Sequence, residues 1–137
     1  MPVRLRKAEV QFIQWERVCR VATVGEGGWP HSVPVCHVLD GGRLYFASGT
    51  GAKKVLNLRA IPRVTLTFDL YSDHWEDLKG VMVQGTAKLI ERGPRFRRVR
   101  ALLYKKYPQY PEEAALEEKD SVIVEVVPTR VFSWGFE

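Results

Sequence analysis

The chain has 137 residues, of which 45% are hydrophobic and 27% charged, and its net charge at pH 7 is +5. This length suits one domain over residues 1–137, and the composition excludes a disordered chain. No apolar run approaches the roughly 18 residues that cross a bilayer. No apolar segment with a small-residue cleavage site follows the basic start, so we do not expect it to be a signal peptide. We therefore expect a cytoplasmic protein that does not bind membranes. The positive charge favours an anionic partner, such as a phosphate-bearing cofactor, an acidic substrate or nucleic acid.

The first half of the chain alternates apolar runs with Gly-rich turns. Apolar residues at three- and four-residue steps, Leu5, Ala8, Phe12 and Trp15, predict a helix over residues 5–15. Runs rich in β-branched and aromatic residues predict strands over residues 18–24, 30–39 and 43–47. The turns between these strands, residues 25–28 and 40–42, are typical of antiparallel hairpins.

The second half continues the same pattern and adds a basic helix. We predict a short helix over residues 52–60, strands over 64–70 and 80–90, a basic helix from Pro94 to about Tyr107, and a final strand over 121–127 that 131–134 extend. About six strands and three helices indicate a mainly β fold, in which six antiparallel strands close into a small barrel with flanking helices. Several strands are apolar on both faces, which predicts a second buried surface such as a homodimer interface.

The segment that points to a ligand lies between the third predicted strand and the short helix. Gly49 and Gly51 permit close approach of the backbone, and the N–H groups at the start of a helix bind anions. Lys53 and Lys54 add positive charge there, and Ser48 and Thr50 add hydroxyl donors. The segment predicts a phosphate cradle, although a solvated loop has the same composition. It has neither the Walker spacing nor the dinucleotide Gly-x-Gly-x-x-Gly spacing.

The stretch LYFASGTGAKKVLNLRAIPRV resembles the flavin-binding segment of the pyridoxamine 5'-phosphate oxidase-like superfamily. The spacing from Ser48 to Lys54 is the family's, and Pro62 stands where the family has a proline. Upstream, RVATVGEGGWPHSVPV resembles the family's opening hairpin. The resemblance implies a six-stranded antiparallel FMN-binding split barrel.

The same resemblance implies roles for individual residues. Lys54 matches the phosphate-binding lysine and Lys53 the basic residue before it, while Ala47 and Ser48 match residues that contact the phosphate and ribityl chain. The strand along the isoalloxazine ring matches Ser32, Val33, Pro34, Val35, Cys36 and His37. Thr50 and Gly51 complete the turn of the cradle.

Two departures from the oxidases limit what the resemblance implies about activity. Gly80 stands where the oxidases carry a glutamine near the cofactor, and their longer C-terminal region holds the substrate with Arg and His. We therefore expect FMN binding and flavin-dependent oxidoreductase activity on an unidentified small molecule, with two symmetric cofactor sites at a homodimer interface, rather than oxidation of pyridoxamine phosphate. The alternatives are a reductase that uses the deazaflavin coenzyme and a non-catalytic flavin- or haem-binding protein.

Each of three further features allows two interpretations. His37 is either a neighbour or proton donor of the flavin ring or a hydrogen-bonded histidine in a strand. Trp134 is expected either to stack on the flavin or a partner subunit or to pack in the core. The basic helix, residues 92–106, is a nucleic-acid face or a solvated amphipathic helix, and it lacks the interleaved aromatic residues of a single-strand binding surface. The three histidines lack metal-ligand spacing, so no metal site is expected.

Overall fold

The computed structural model describes residues 3–136, and this part of the chain forms seven strands and four α-helices. The strands are β1 (Cys19–Val24), β2 (Pro30–Val35), β3 (His37–Asp40), β4 (Arg43–Gly49), β5 (Arg63–Leu70), β6 (Lys79–Ile90) and β7 (Ser121–Trp134). The helices are α1 (Lys7–Trp15), α2 (Lys53–Ala60), α3 (Pro94–Lys106) and α4 (Tyr110–Glu113), with a 3-10 turn at Trp75–Asp77. None of these helices is long and apolar enough to span a membrane.

All seven strands belong to one antiparallel sheet, in the order β2-β1-β5-β6-β7-β4-β3. The two edge strands are consecutive in the chain, with only Cys36 between them, so the sheet must curl round on itself. This curl confirms the predicted split barrel, although the sheet has seven strands where the sequence predicts six. The prediction of one strand over residues 30–39 is wrong, because the chain leaves β1 after Val35 and begins to pair with β4 at His37.

The inside of the curled sheet forms the larger core, on which α1 packs. The buried face of α1 consists of Glu9, Phe12 and Ile13, whereas Trp15 is 82% exposed. The predicted apolar stripe is therefore wrong at Ala8 and Trp15, which are both exposed. Glu9 carries no apolar signal in the sequence. Its carboxylate is buried and accepts hydrogen bonds from the Arg6 backbone N–H at 2.7 Å and the Ser133 hydroxyl at 2.6 Å.

A second core lies on the outside of the sheet, where α3 covers β4 and β7. Phe96, Val99 and Leu103 pack against Tyr45 and Ile123, which confirms the predicted amphipathic helix. Within residues 3–136, no helix covers the rest of the outer face in this way. One row across it consists of directly paired residues: Pro34, Arg20, Thr67, Met82 and Phe132.

Candidate site at the start of helix α2

A tight turn connects the end of β4 to the start of α2. The Thr50 N–H donates to the Asp120 carbonyl at 3.1 Å, and the Ala52 N–H donates to the Gly49 carbonyl at 3.1 Å. These two bonds fix the turn between Gly49 and Lys53. Space is open beside Gly51, since a Cβ atom there would meet nothing within 4 Å. The backbone at this position is therefore open to a ligand.

The N-terminal end of α2 carries unused hydrogen-bond donors. Within residues 3–136, the backbone N–H groups of Gly51, Lys53 and Lys54 donate no hydrogen bond. The first turn of the helix contains no acidic residue and no side chain caps it. Free N–H groups and the positive end of the helix dipole together favour an anion.

The two lysines of the turn differ in their surroundings. Lys54 shares the buried side of α2 with Val55 and Leu58, and side chains on a helix lean towards its N-terminus. Its half-buried amine forms no ion pair with any carboxylate of the described residues, and burial lowers the pKa of Lys54. Lys53 is exposed and borders a different groove, of about 470 Å³, beside the turn after β1. Neither lysine has a carboxylate partner among the described residues, and Lys54 is the more buried of the two.

Ala47 and Ser48 lie at the end of β4, one turn before the lysines. They line a groove of about 370 Å³ whose opposite wall is formed by Tyr110 and the segment 114–116. Ser48 is almost buried, and its hydroxyl donates to the Gly49 carbonyl at 3.2 Å. The structure thus brings one continuous stretch, residues 47–54, to this end of the sheet, but the groove beside Ser48 and the groove beside Lys53 are separate.

The predicted ring-contacting residues occupy the β2 edge and its junction with β3. Ser32 and Pro34 are exposed on the outer face, whereas Val33 and Val35 pack in the core. Cys36, between the two strands, is half-buried and packs beside Ala47 in the outer core. The strand register explains why Cys36 lies beside Ala47. His37 pairs with Phe46, and Cys36 and Ala47 are the adjoining residues of the two chain segments.

His37 itself points into the barrel. The residue is 0% exposed, and its Nε2 atom lies 2.9 Å from the Ile13 carbonyl oxygen. Its ring packs edge-on against that of Phe68. Burial lowers the pKa of His37 to about 4. These contacts favour the interpretation of a hydrogen-bonded strand histidine over that of a proton donor at the ring.

Gly80 and Trp134 lie together at the other end of the sheet. They are directly paired, and the Trp134 indole covers Gly80 so closely that a Cβ atom would overlap the ring. Ser48 pairs with Val122 on β7, and the twelve residues from there to Trp134 span roughly 40 Å of extended strand. Trp134 is therefore far along β7 from the strand position that pairs with Ser48.

Two observations complete the site. Among residues 3–136, no group of three or more His, Cys, Asp or Glu side chains is arranged to hold a metal ion. The sequence reasoning missed Tyr110, because the segment after α3 has no periodic pattern and contains Pro108 and Pro111, which mark only the end of a helix. Only the packing of that segment against β4 places Tyr110 at the groove.

Comparison with known proteins finds the same fold in solved structures. No curated protein matches the sequence. HutZ, the haem storage protein from Vibrio cholerae, is 18% identical with a TM-score of 0.80, over 95% of this chain and 94% of that one. A FAD-binding protein from Mesorhizobium loti is 22% identical with a TM-score of 0.76, over 94% of each chain. An F420 reductase is 21% identical with a TM-score of 0.75, over 93% of this chain and 98% of that one.

At these identities the solved structures establish the fold. The sequence evidence is stronger, because the family model described as pyridoxamine 5'-phosphate oxidase matches residues 5–135. The match includes the split barrel, the turn at Gly49–Lys53 and the paired Gly80 and Trp134. The chain therefore belongs to the pyridoxamine 5'-phosphate oxidase family.

Proposed function

We propose that this chain binds FMN, with the phosphate held at the start of α2. The observation that carries the proposal is the half-buried Lys54, which has no carboxylate partner in the described residues and belongs to the same turn as three unused N–H groups. A phosphate dianion supplies the negative charge and the acceptor oxygens that these groups lack. The open space at Gly51 lets the phosphate approach the backbone. The residues present therefore fit the group.

The ring of the cofactor would lie along the outer side of the sheet from this turn. Cys36 and Ala47 pack side by side there, and Ser32 and Pro34 continue the surface along the β2 edge. Small side chains at these positions leave the flat surface that a fused ring needs. The chain's own residues would bind the phosphate, orient the ring and exclude water from one of its faces.

A homodimer with two symmetric sites is part of this proposal. Phe132 and Trp134 are 60% and 39% exposed on the uncovered outer face, and their ring centroids are 6.0 Å apart. Large exposed aromatic residues on a sheet face favour an isologous interface between two copies. Such an interface would let Gly80 and Trp134 of one chain border the cofactor held by Lys54 of the other. Light scattering should give a dimer mass for the wild type and a monomer mass for Phe132→Glu.

We further propose flavin-dependent oxidoreductase activity on a small molecule. When bound, FMN supplies hydride or electron transfer, and the protein supplies placement and electrostatics. The indole of Trp134 fills the space beside Gly80 in which the oxidases carry a glutamine side chain. An apolar ring at that position favours a substrate other than pyridoxamine phosphate.

The deazaflavin coenzyme is the second candidate, and charge is the observation that favours it. The net charge is +5, and Arg63 and Arg130 line a groove of about 620 Å³ on the outer face of the sheet. This groove would suit a cofactor with an acidic tail longer than a phosphate.

One titration separates these candidates. The purified protein is titrated with FMN, riboflavin, the deazaflavin coenzyme and haem, and binding is followed by absorbance and fluorescence. We expect FMN to bind more tightly than riboflavin, and the reduction of bound FMN by NAD(P)H then tests the oxidoreductase part. Tighter binding of the deazaflavin coenzyme would transfer the proposal to that ligand, and binding of haem alone would refute it.

A further inference from the structure

Tyr110 stands opposite the residues that the proposed flavin would contact. It lines the groove of about 370 Å³ whose other wall is Ala47 and Ser48. It also packs against the outer core in company with Cys36 and Ala47. The Tyr110 ring therefore lines the same groove as the strand positions at which the flavin ring and ribityl chain are proposed to lie.

The neighbouring residues hold this ring in place. The Tyr110 ring centroid lies 5.9 Å from that of Tyr107, edge-on, and 6.0 Å from that of Tyr104, tilted by 35°. Tyr107 is itself fixed, since its hydroxyl donates to the His37 carbonyl at 2.6 Å. On the other side, the Leu116 N–H donates to the Tyr104 hydroxyl at 2.9 Å. The segment is thus anchored both before and after Tyr110.

The wall beside Tyr110 is small and apolar. Ala114 and Ala115 follow it along the groove, and Leu116 is buried beneath them. The Tyr110 hydroxyl donates no hydrogen bond to any described residue, and burial raises the pKa of this phenol to about 12. The side chain therefore presents a fixed, neutral, aromatic surface, with methyl groups beside it, to whatever enters the groove.

We propose that Tyr110 forms one wall of the flavin ring site and packs against the isoalloxazine ring. This inference rests on the proposed function, because it takes the cofactor to be a flavin. Aromatic rings in offset or edge contact contribute beyond the area they bury. Tyr110 is then a specificity-determining residue for the ring end of the ligand, as Lys54 is for its phosphate end.

The test compares the two ends of the cofactor. Tyr110→Leu should weaken FMN and riboflavin by the same factor, about 2- to 12-fold, because both ligands have the ring. Tyr110→Phe keeps the ring and should bind both ligands like the wild type. Lys54→Ala should weaken FMN alone. Tyr71→Leu, at an exposed tyrosine outside the groove, is the matched control.

Fluorescence and NMR give two independent measurements. The emission of bound flavin should rise in Tyr110→Leu, because the aromatic quencher is lost, and remain unchanged in Tyr71→Leu. In the wild type, nuclear Overhauser contacts should join the Tyr110 ring protons to the flavin ring, which needs no substitution and so does not depend on a variant's folding.

Flavin affinity in Tyr110→Leu equal to that of Tyr71→Leu, together with no such contacts, would overturn the inference while leaving FMN binding intact. A wild-type protein that binds no flavin would overturn both the inference and the proposed function.

Discussion

Removal of the Lys54 amine should lower the affinity for FMN and leave the affinity for riboflavin unchanged. In Lys54→Ala the backbone of the turn and the strand residues remain, and only the half-buried cation is lost. The loss should therefore fall on the ligand that has a phosphate. A charge-assisted hydrogen bond contributes about 1.5–3 kcal/mol, which corresponds to about 10- to 150-fold in the affinity for FMN.

The structure supports the upper part of this range. Lys54 has no carboxylate partner in residues 3–136, so no competing ion pair must be broken when the phosphate binds. Lys53 is the matched control, because it is exposed and its charge is screened by water. Lys53→Ala should cost about fivefold or less in FMN affinity.

The assay is a fluorescence titration of both variants and the wild type with FMN and riboflavin. Riboflavin should bind wild type and Lys54→Ala equally. Equal losses for the two ligands in Lys54→Ala, or an FMN loss in Lys53→Ala as large as that in Lys54→Ala, would refute the phosphate role of Lys54.

Three further predictions concern the framework of the site. Gly80→Ala should displace the Trp134 indole and lower the free energy of unfolding by about 1–2 kcal/mol. The displacement should shift the Trp134 indole N–H resonance, and urea denaturation should measure the loss of stability. An unmoved resonance would contradict the close contact. The buried, neutral His37 should make the wild type less stable as pH falls from 6.5 to about 4, because only the unfolded chain binds the proton. The free energy of unfolding should fall by about 1.4 kcal/mol per pH unit. Urea denaturation of His37→Gln should show no such dependence on pH. Glu125 is 1% exposed, accepts a hydrogen bond from the Tyr45 hydroxyl at 3.0 Å and pairs with the half-exposed Arg43 and Arg95. Glu125→Gln should therefore lower the free energy of unfolding by about 1–2 kcal/mol. An unchanged midpoint of urea denaturation would show that the pairs are not stabilising.

Local patterns predicted most of the fold. Alternation and turn residues located the strands, and the apolar spacing of Phe96, Val99 and Leu103 predicted α3 with its buried face. These features depend on neighbouring residues in the chain, which the sequence displays directly. The family resemblance added the closure of the sheet into a split barrel.

Features that depend on distant contacts could not be predicted in the same way. The break at Cys36 arises because β2 and β3 pair with different partners, and no turn residue marks it. The burial of Glu9 depends on Ser133, 124 positions later in the chain. The place of Tyr110 at the groove likewise depends on the packing of its segment against β4. In each case the deciding partner is far away in sequence.

The composition of the candidate site can be read from the sequence, whereas its geometry requires the structure. The turn, Lys53 and Lys54 follow from composition and spacing, but the different exposure of the two lysines follows only from the rotation of α2. Gly80 lacks a side chain, which suggested a missing contact, whereas the structure shows that Trp134 occupies its place.

The most direct test of FMN binding is the absorbance spectrum of the freshly purified protein, with the mass of any ligand released on denaturation. We predict a yellow protein that releases FMN in equal amount to the chain, and a Lys54→Ala variant that retains much less. A colourless protein that also takes up no FMN when the cofactor is added would contradict the central claim.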